Sequence, residues 1–130
     1  MSSSSPSDRI SMLSGHAYIN LETYRRNGQA VATPVWFTTD DDNEMIYVVT
    51  RTKTGKIKRL QNNSKVRIVP SGIRGEPKDE WLNGKATLAT PEELESALKQ
   101  RNKKYGFKAK LSGLFSRTKG DLIAIKISLD

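Results

Sequence analysis

Cysteine is absent from this chain, and histidine occurs once, at His16. The first absence excludes disulfides, thiolate nucleophiles and cysteine-ligated zinc. The second leaves metal binding to Asp and Glu, which do not gather at ligand spacing. Asp40-Asp41-Asp42-Asn43 lacks the continuation of a calcium loop and reads as a solvated turn. His16 has no partner motif and reads as structural. No Gly-x-Ser-x-Gly elbow surrounds any serine. No run approaches the roughly 18 apolar residues of a membrane span, and no signal-peptide core follows the start, so a cytoplasmic protein is expected. No side chain is therefore assignable as catalytic and none as a metal ligand. If the chain is an enzyme, the difficult step belongs to a bound cofactor.

Acidic residues are missing from two long stretches. Met45 to Gly75 holds Arg51, Lys53, Lys56, Lys58, Arg59, Lys65, Arg67 and Arg74 with no Asp or Glu. Ser96 to Gly120 holds Lys99, Arg101, Lys103, Lys104, Lys108, Lys110, Arg117 and Lys119, again without an acid. That leaves six of the 22 basic residues against all 14 acidic ones, so a net charge of +8 hides two basic zones on an acidic body. Such segregation points to an anionic partner.

Most of the first zone lies in one phrase, Thr50-Arg51-Thr52-Lys53-Thr54-Gly55-Lys56-Ile57-Lys58-Arg59-Leu60, directly after the strand-like run Met45 to Val49. A strand that ends in hydroxyls, glycine and lysines and then opens a helix makes an anion receptor. The first-turn N–H groups lack intrahelical partners, and the helix dipole favours negative charge there. Thr50, Thr52 and Thr54 add hydroxyls, Gly55 a close backbone approach, and Arg51, Lys56 and Lys58 charge. This phrase reads as a phosphate clamp. Nucleic acid would be a rival anion, but no aromatic residue interleaves the basic ones between Arg51 and Arg67, as single-strand platforms require.

The 130 residues suffice for one domain, residues 8–130, behind a Ser-rich tail at 1–7. A short helix is expected over Asp8–Leu13, and a strand over His16–Tyr24. The pair Asn27-Gly28 then signals a hairpin, on the expectation of positive φ at both central positions. The returning strand Ala30–Thr38 carries Pro34, which suits an edge. Strands follow over Glu44–Thr50, Lys65–Pro70, Glu80–Leu88 and Asp121–Ser128, with a Gly/Pro loop at Ser71–Pro77. Thr90-Pro91-Glu92-Glu93 starts a helix expected to reach about Lys104 and to bury Leu94 and Leu98. The fold class is mainly β with minor α: a small barrel of six antiparallel strands with helical decorations.

Several phrases, taken in order, resemble a known family. Tyr24-Arg25-Arg26-Asn27-Gly28, Thr33-Pro34-Val35-Trp36-Phe37, Tyr47 to Thr50, Thr54 to Leu60, Arg74-Gly75 and Lys104-Tyr105-Gly106 are similar to the pyridoxamine 5'-phosphate oxidase-like flavin-binding proteins. Within them the small branch commonly labelled as dependent on coenzyme F420, a deazaflavin, is most similar. The resemblance implies an FMN-binding split β-barrel, homodimeric, with a cofactor in each of two clefts at the subunit interface. It implies that Thr33, Pro34, Val35 and Trp36 line the ring while Thr50 and Lys56 grip the phosphate. Pro70-Ser71-Gly72-Ile73 departs from the family pattern, in which many relatives carry a cysteine and an acidic residue there.

The expectation that follows is an oxidoreductase binding F420, or alternatively FMN, and passing a hydride to a small unsaturated or quinone-like acceptor. An FMN-binding protein with a storage or sensing role is the second reading, and a basic nucleic-acid-binding barrel the third.

Overall fold

The computed structural model describes residues 6–13, 15–106 and 122–130. Along the chain run α1 (Pro6–Leu13), β1 (Tyr18–Tyr24), β2 (Ala30–Val35), β3 (Thr38–Asp40), β4 (Met45–Arg51), α2 (Gly55–Asn62), β5 (Lys65–Ser71), β6 (Leu82–Leu88), α3 (Pro91–Tyr105) and β7 (Leu122–Leu129). The architecture is mainly β with minor α, as the sequence suggests. The strand count differs: the described residues form seven strands, not six, because the expected strand Ala30–Thr38 is interrupted at Trp36-Phe37 and becomes β2 and β3. Helix α1 begins at Pro6, inside the segment expected to be tail.

All pairings are antiparallel, in the order β2-β1-β5-β6-β7-β4-β3, so β2 and β3 are opposite edges of one sheet. That order dictates the overall shape. Seven strands laid flat at the usual spacing would hold their edge strands about 29 Å apart. Yet Val35 and Thr38 are joined by only two residues, a reach of at most about 11 Å. The sheet must therefore curl until its edges nearly meet, and Trp36-Phe37 bridges the seam.

The β1–β2 hairpin forms around Asn27-Gly28, but not with positive φ at both central positions. Only Gly28 is left-handed (φ 88°). Gly28 N–H donates to the Arg25 carbonyl at 2.8 Å and Arg25 N–H to the Gln29 carbonyl at 2.9 Å. This is a three-residue loop closed by a glycine bulge. Pro34 lies on edge strand β2, where its missing N–H leaves no gap in the ladder.

Inside the curl, Ile19, Leu21, Phe37, Ile46, Val48, Val66, Ile68, Ile125 and Ile127 form the core. Ile10 and Leu13 of α1 join them, and Ile57 and Leu60 of α2, three residues apart and on one helical face, do the same. Across β1 and β5, Glu22 stands opposite Arg67. It accepts two hydrogen bonds from that guanidinium, at 2.7 and 3.1 Å, and one from Tyr24 Oη at 2.8 Å. Helix α3 starts on the capping box of Thr90 and Glu93 and packs against β3, β4 and β7. Its buried line is Ala97, Arg101 and Tyr105 rather than Leu94 and Leu98, which are half-buried. Among the described residues no helix is long and apolar enough to cross a membrane.

Candidate functional site

The expected phosphate clamp joins β4 to α2. Thr54 is the N-cap, and its Oγ1 accepts the Ile57 N–H at 3.5 Å. Because Ile57 and Leu60 must face the core, the helical repeat sends the neighbouring lysines to different sides. Lys56 is half-buried and lines a pocket, whereas Lys58 is exposed. Arg59 turns back to β1, where its Nε donates to Thr23 Oγ1 at 2.5 Å. Burial first, and then the Arg59 charge, holds the Lys56 ammonium below the ordinary lysine range. Lys56 is thus a cation with its hydration partly stripped beside a second cation, a condition that favours an incoming anion.

The seam supplies the opposite wall. Trp36 stacks on Tyr105 with ring centroids 4.4 Å apart and planes 9° from parallel. Tyr105 Oη lies 2.8 Å from the Ala17 carbonyl and 3.0 Å from the Phe37 carbonyl, and accepts the Phe37 N–H at 3.1 Å. Burial pushes the Tyr105 hydroxyl up to about 12. Lys104 reaches over the Phe37 ring, its Nζ 3.5 Å from the centroid, and donates to the Phe37 carbonyl at 3.2 Å. Burial lowers the Lys104 pKa to about 8.

Between these walls lies a pocket of about 180 Å³. Val35, Trp36, Phe37 and Thr38 form its seam side, Tyr47 to Thr50 its floor, and Lys56 and Arg101 its cationic rim. Arg101 is only 5% exposed, and neither its Nε nor its Nη1 has a hydrogen-bond partner among the described residues. Tyr47 turns its hydroxyl to Glu93 Oε2 at 3.3 Å, and burial and that carboxylate push it up to about 12. It therefore holds its proton and spends it on Glu93.

The family model for pyridoxamine 5'-phosphate oxidase matches residues 11–130. The chain belongs to that family. The curled sheet agrees with solved relatives of the same fold. A pyridoxamine 5'-phosphate oxidase candidate from Listeria innocua is 18% identical with a TM-score of 0.68, covering 97% of this chain and 94% of that one. A conserved hypothetical protein from Mycobacterium tuberculosis is 18% identical with a TM-score of 0.73, covering 98% and 81%. The heme storage protein of Vibrio cholerae is 15% identical with a TM-score of 0.69, covering 95% and 89%. At these identities the likeness is one of fold. No curated protein matches the chain.

In this member of the pyridoxamine 5'-phosphate oxidase family, four of the residues singled out from sequence meet at the pocket: Val35, Trp36, Thr50 and Lys56. The others do not line it. Thr33 sits on β2 with its Oγ1 buried and without a partner among the described residues, and Pro34 is exposed on the same strand. Arg51, Thr52, Gly55 and Lys58 are exposed, and Thr54 serves as the helix cap. Arg101 was legible only as one of many cations in the second basic zone. The usable signal was its spacing, four residues after Ala97 and four before Tyr105, which places it on the inward line of α3. Phe107 to Gly120, with Lys108, Lys110, Arg117 and Lys119, lies outside the described residues.

Proposed function

We propose that the pocket receives the phosphate-bearing part of a flavin-type cofactor, coenzyme F420 first and FMN as the alternative, and that the chain passes a hydride to a small unsaturated or quinone-like acceptor. The observation that carries this is the convergence of Thr50, Lys56 and Arg101 on one aromatic-walled pocket, with both cations desolvated. When bound, the cofactor would supply the hydride chemistry. The chain's own residues bind and orient it: Thr50 and Lys56 hold phosphate oxygens, and the stacked Trp36 excludes water from one side. A shielded charge-assisted hydrogen bond from Lys56 would contribute roughly 1.5–3 kcal/mol. The longer anionic tail of F420 would give exposed cations outside the pocket, Lys53 and Arg74 among them, something to bind.

A pocket of about 180 Å³ is small for a tricyclic ligand, since pockets for drug-sized ligands run to about 300–1,000 Å³. The described residues thus offer a seat for the cofactor's anionic end and one wall, which favours a homodimer whose second copy completes the cleft. An FMN-binding protein with a storage or sensing role is the second reading, because among the described residues no side-chain acid is free to face the pocket: Tyr47 donates to Glu93. A nucleic-acid-binding barrel is the third, and is less favoured because no aromatic residue interleaves the basic ones between Arg51 and Arg67.

Titration of the purified protein with F420 and FMN, followed by fluorescence and absorbance, tests the site. Lys56→Ala is expected to raise the dissociation constant at least tenfold; an unchanged value displaces the clamp. Turnover of reduced cofactor with enones and quinones separates the enzyme from the storage protein.

A further inference from the structure

The buried line of α3 runs Ala97, Arg101, Tyr105, and its central position would ordinarily be apolar. Here it carries a guanidinium 5% exposed, with Nε and Nη1 lacking partners among the described residues, on the rim of the pocket. An unpaired buried charge weakens the fold unless a ligand completes it. Arginine also differs from lysine in presenting donors as a rigid planar fork, suited to two acceptor atoms in one plane. The two pocket cations come from different helices, Lys56 from α2 and Arg101 from α3.

We propose that Arg101 is a second recognition residue of the pocket, its fork taking a planar pair of acceptor atoms on the ligand other than those held at Lys56. This deepens the flavin-type assignment above and rests on it. The acceptor pair has three sources: the carbonyl edge of the cofactor ring, a phosphate face, or a carboxylate of the hydride acceptor.

The test compares the full chain with Arg101→Met and Arg101→Lys, without ligand and with FMN, riboflavin, or fumarate added to the FMN-loaded protein. Without ligand, Arg101→Met is expected to melt about 2–5 °C higher, because an unpaired charge has left a buried position. The same variant is expected to lose at least tenfold in affinity for one or more probes, with Arg101→Lys recovering only part. Equal losses for FMN and riboflavin assign the fork to the ring edge. A loss for FMN alone assigns it to phosphate, and a loss of fumarate-induced stabilisation alone to the acceptor. A lower melting temperature in Arg101→Met, or unchanged affinity for every probe, overturns the proposal. If the unaltered protein binds neither FMN nor F420, the flavin assignment fails separately. Thermal stabilisation by inorganic phosphate then decides: its loss in Arg101→Met sustains the role of Arg101, and its retention refutes it.

Discussion

Replacing Tyr105 by Phe removes one oxygen from the seam and leaves the ring that supports Trp36. That oxygen accepts the Phe37 N–H at 3.1 Å and approaches the Ala17 and Phe37 carbonyls at 2.8 and 3.0 Å. The Phe37 carbonyl keeps the Lys104 ammonium at 3.2 Å, so it is not stranded. Phe37 itself is only 1% exposed, so its N–H loses the hydroxyl at a buried position. Stranding one buried donor costs about 1–3 kcal/mol. For a domain of this size each kcal/mol is worth about 3–5 °C in melting temperature. Urea unfolding followed by tryptophan fluorescence should therefore show a lower midpoint at an unchanged m-value. Cofactor affinity should change much less, because the Trp36 stack at 4.4 Å survives in Phe. A stability change below about 0.5 kcal/mol, the scatter of ordinary surface substitutions, would refute the account of the seam.

Glu93 accepts from Lys126 Nζ at 2.5 Å and caps α3, and these contacts, the Lys126 bond foremost, pull its pKa from 4.5 to about 2. A folded pKa below the unfolded one contributes stability above about pH 4.5 that is lost as the pH falls towards 2. Denaturant titrations at several pH values should show a steeper acid loss in the unaltered protein than in Glu93→Gln; equal slopes would rule the contact out. A Cβ at Gly84 would sit 2.6 Å from the Ser128 carbonyl oxygen on β7. Gly84→Ala should thus destabilise by about 1–3 kcal/mol through overpacking, and thermal unfolding at unchanged stability would contradict the strand spacing.

Local chemistry made much of this fold readable. The phrase Thr90-Pro91-Glu92-Glu93 begins α3 where cap preferences place it, and Asn27-Gly28 turns the first hairpin although its geometry differs from the expected turn. The break in Ala30–Thr38 was not readable. β-branched and aromatic residues continue through Trp36-Phe37, and the interruption comes from a change of partner, from β1 on one edge of the sheet to β4 at the other. The phosphate phrase located Thr50 and Lys56, but charge counting could not separate Lys56 from Lys58; the inward commitment of Ile57 and Leu60 does that. Arg101 escaped for the opposite reason. Arginines usually mark a solvated face, and only the packing of Ala97 and Tyr105 reverses that rule.

The two-residue crossing at Trp36-Phe37 makes the barrel resemble a belt fastened at one buckle. Val35 and Thr38, at opposite ends of the belt, both face the pocket, so whatever occupies it grips the fastening from each side. Unwinding the sheet must first release that grip. Occupancy and mechanical opening are thereby the same coordinate, and a filled site should slow the chain's loss of structure as well as shift its equilibrium.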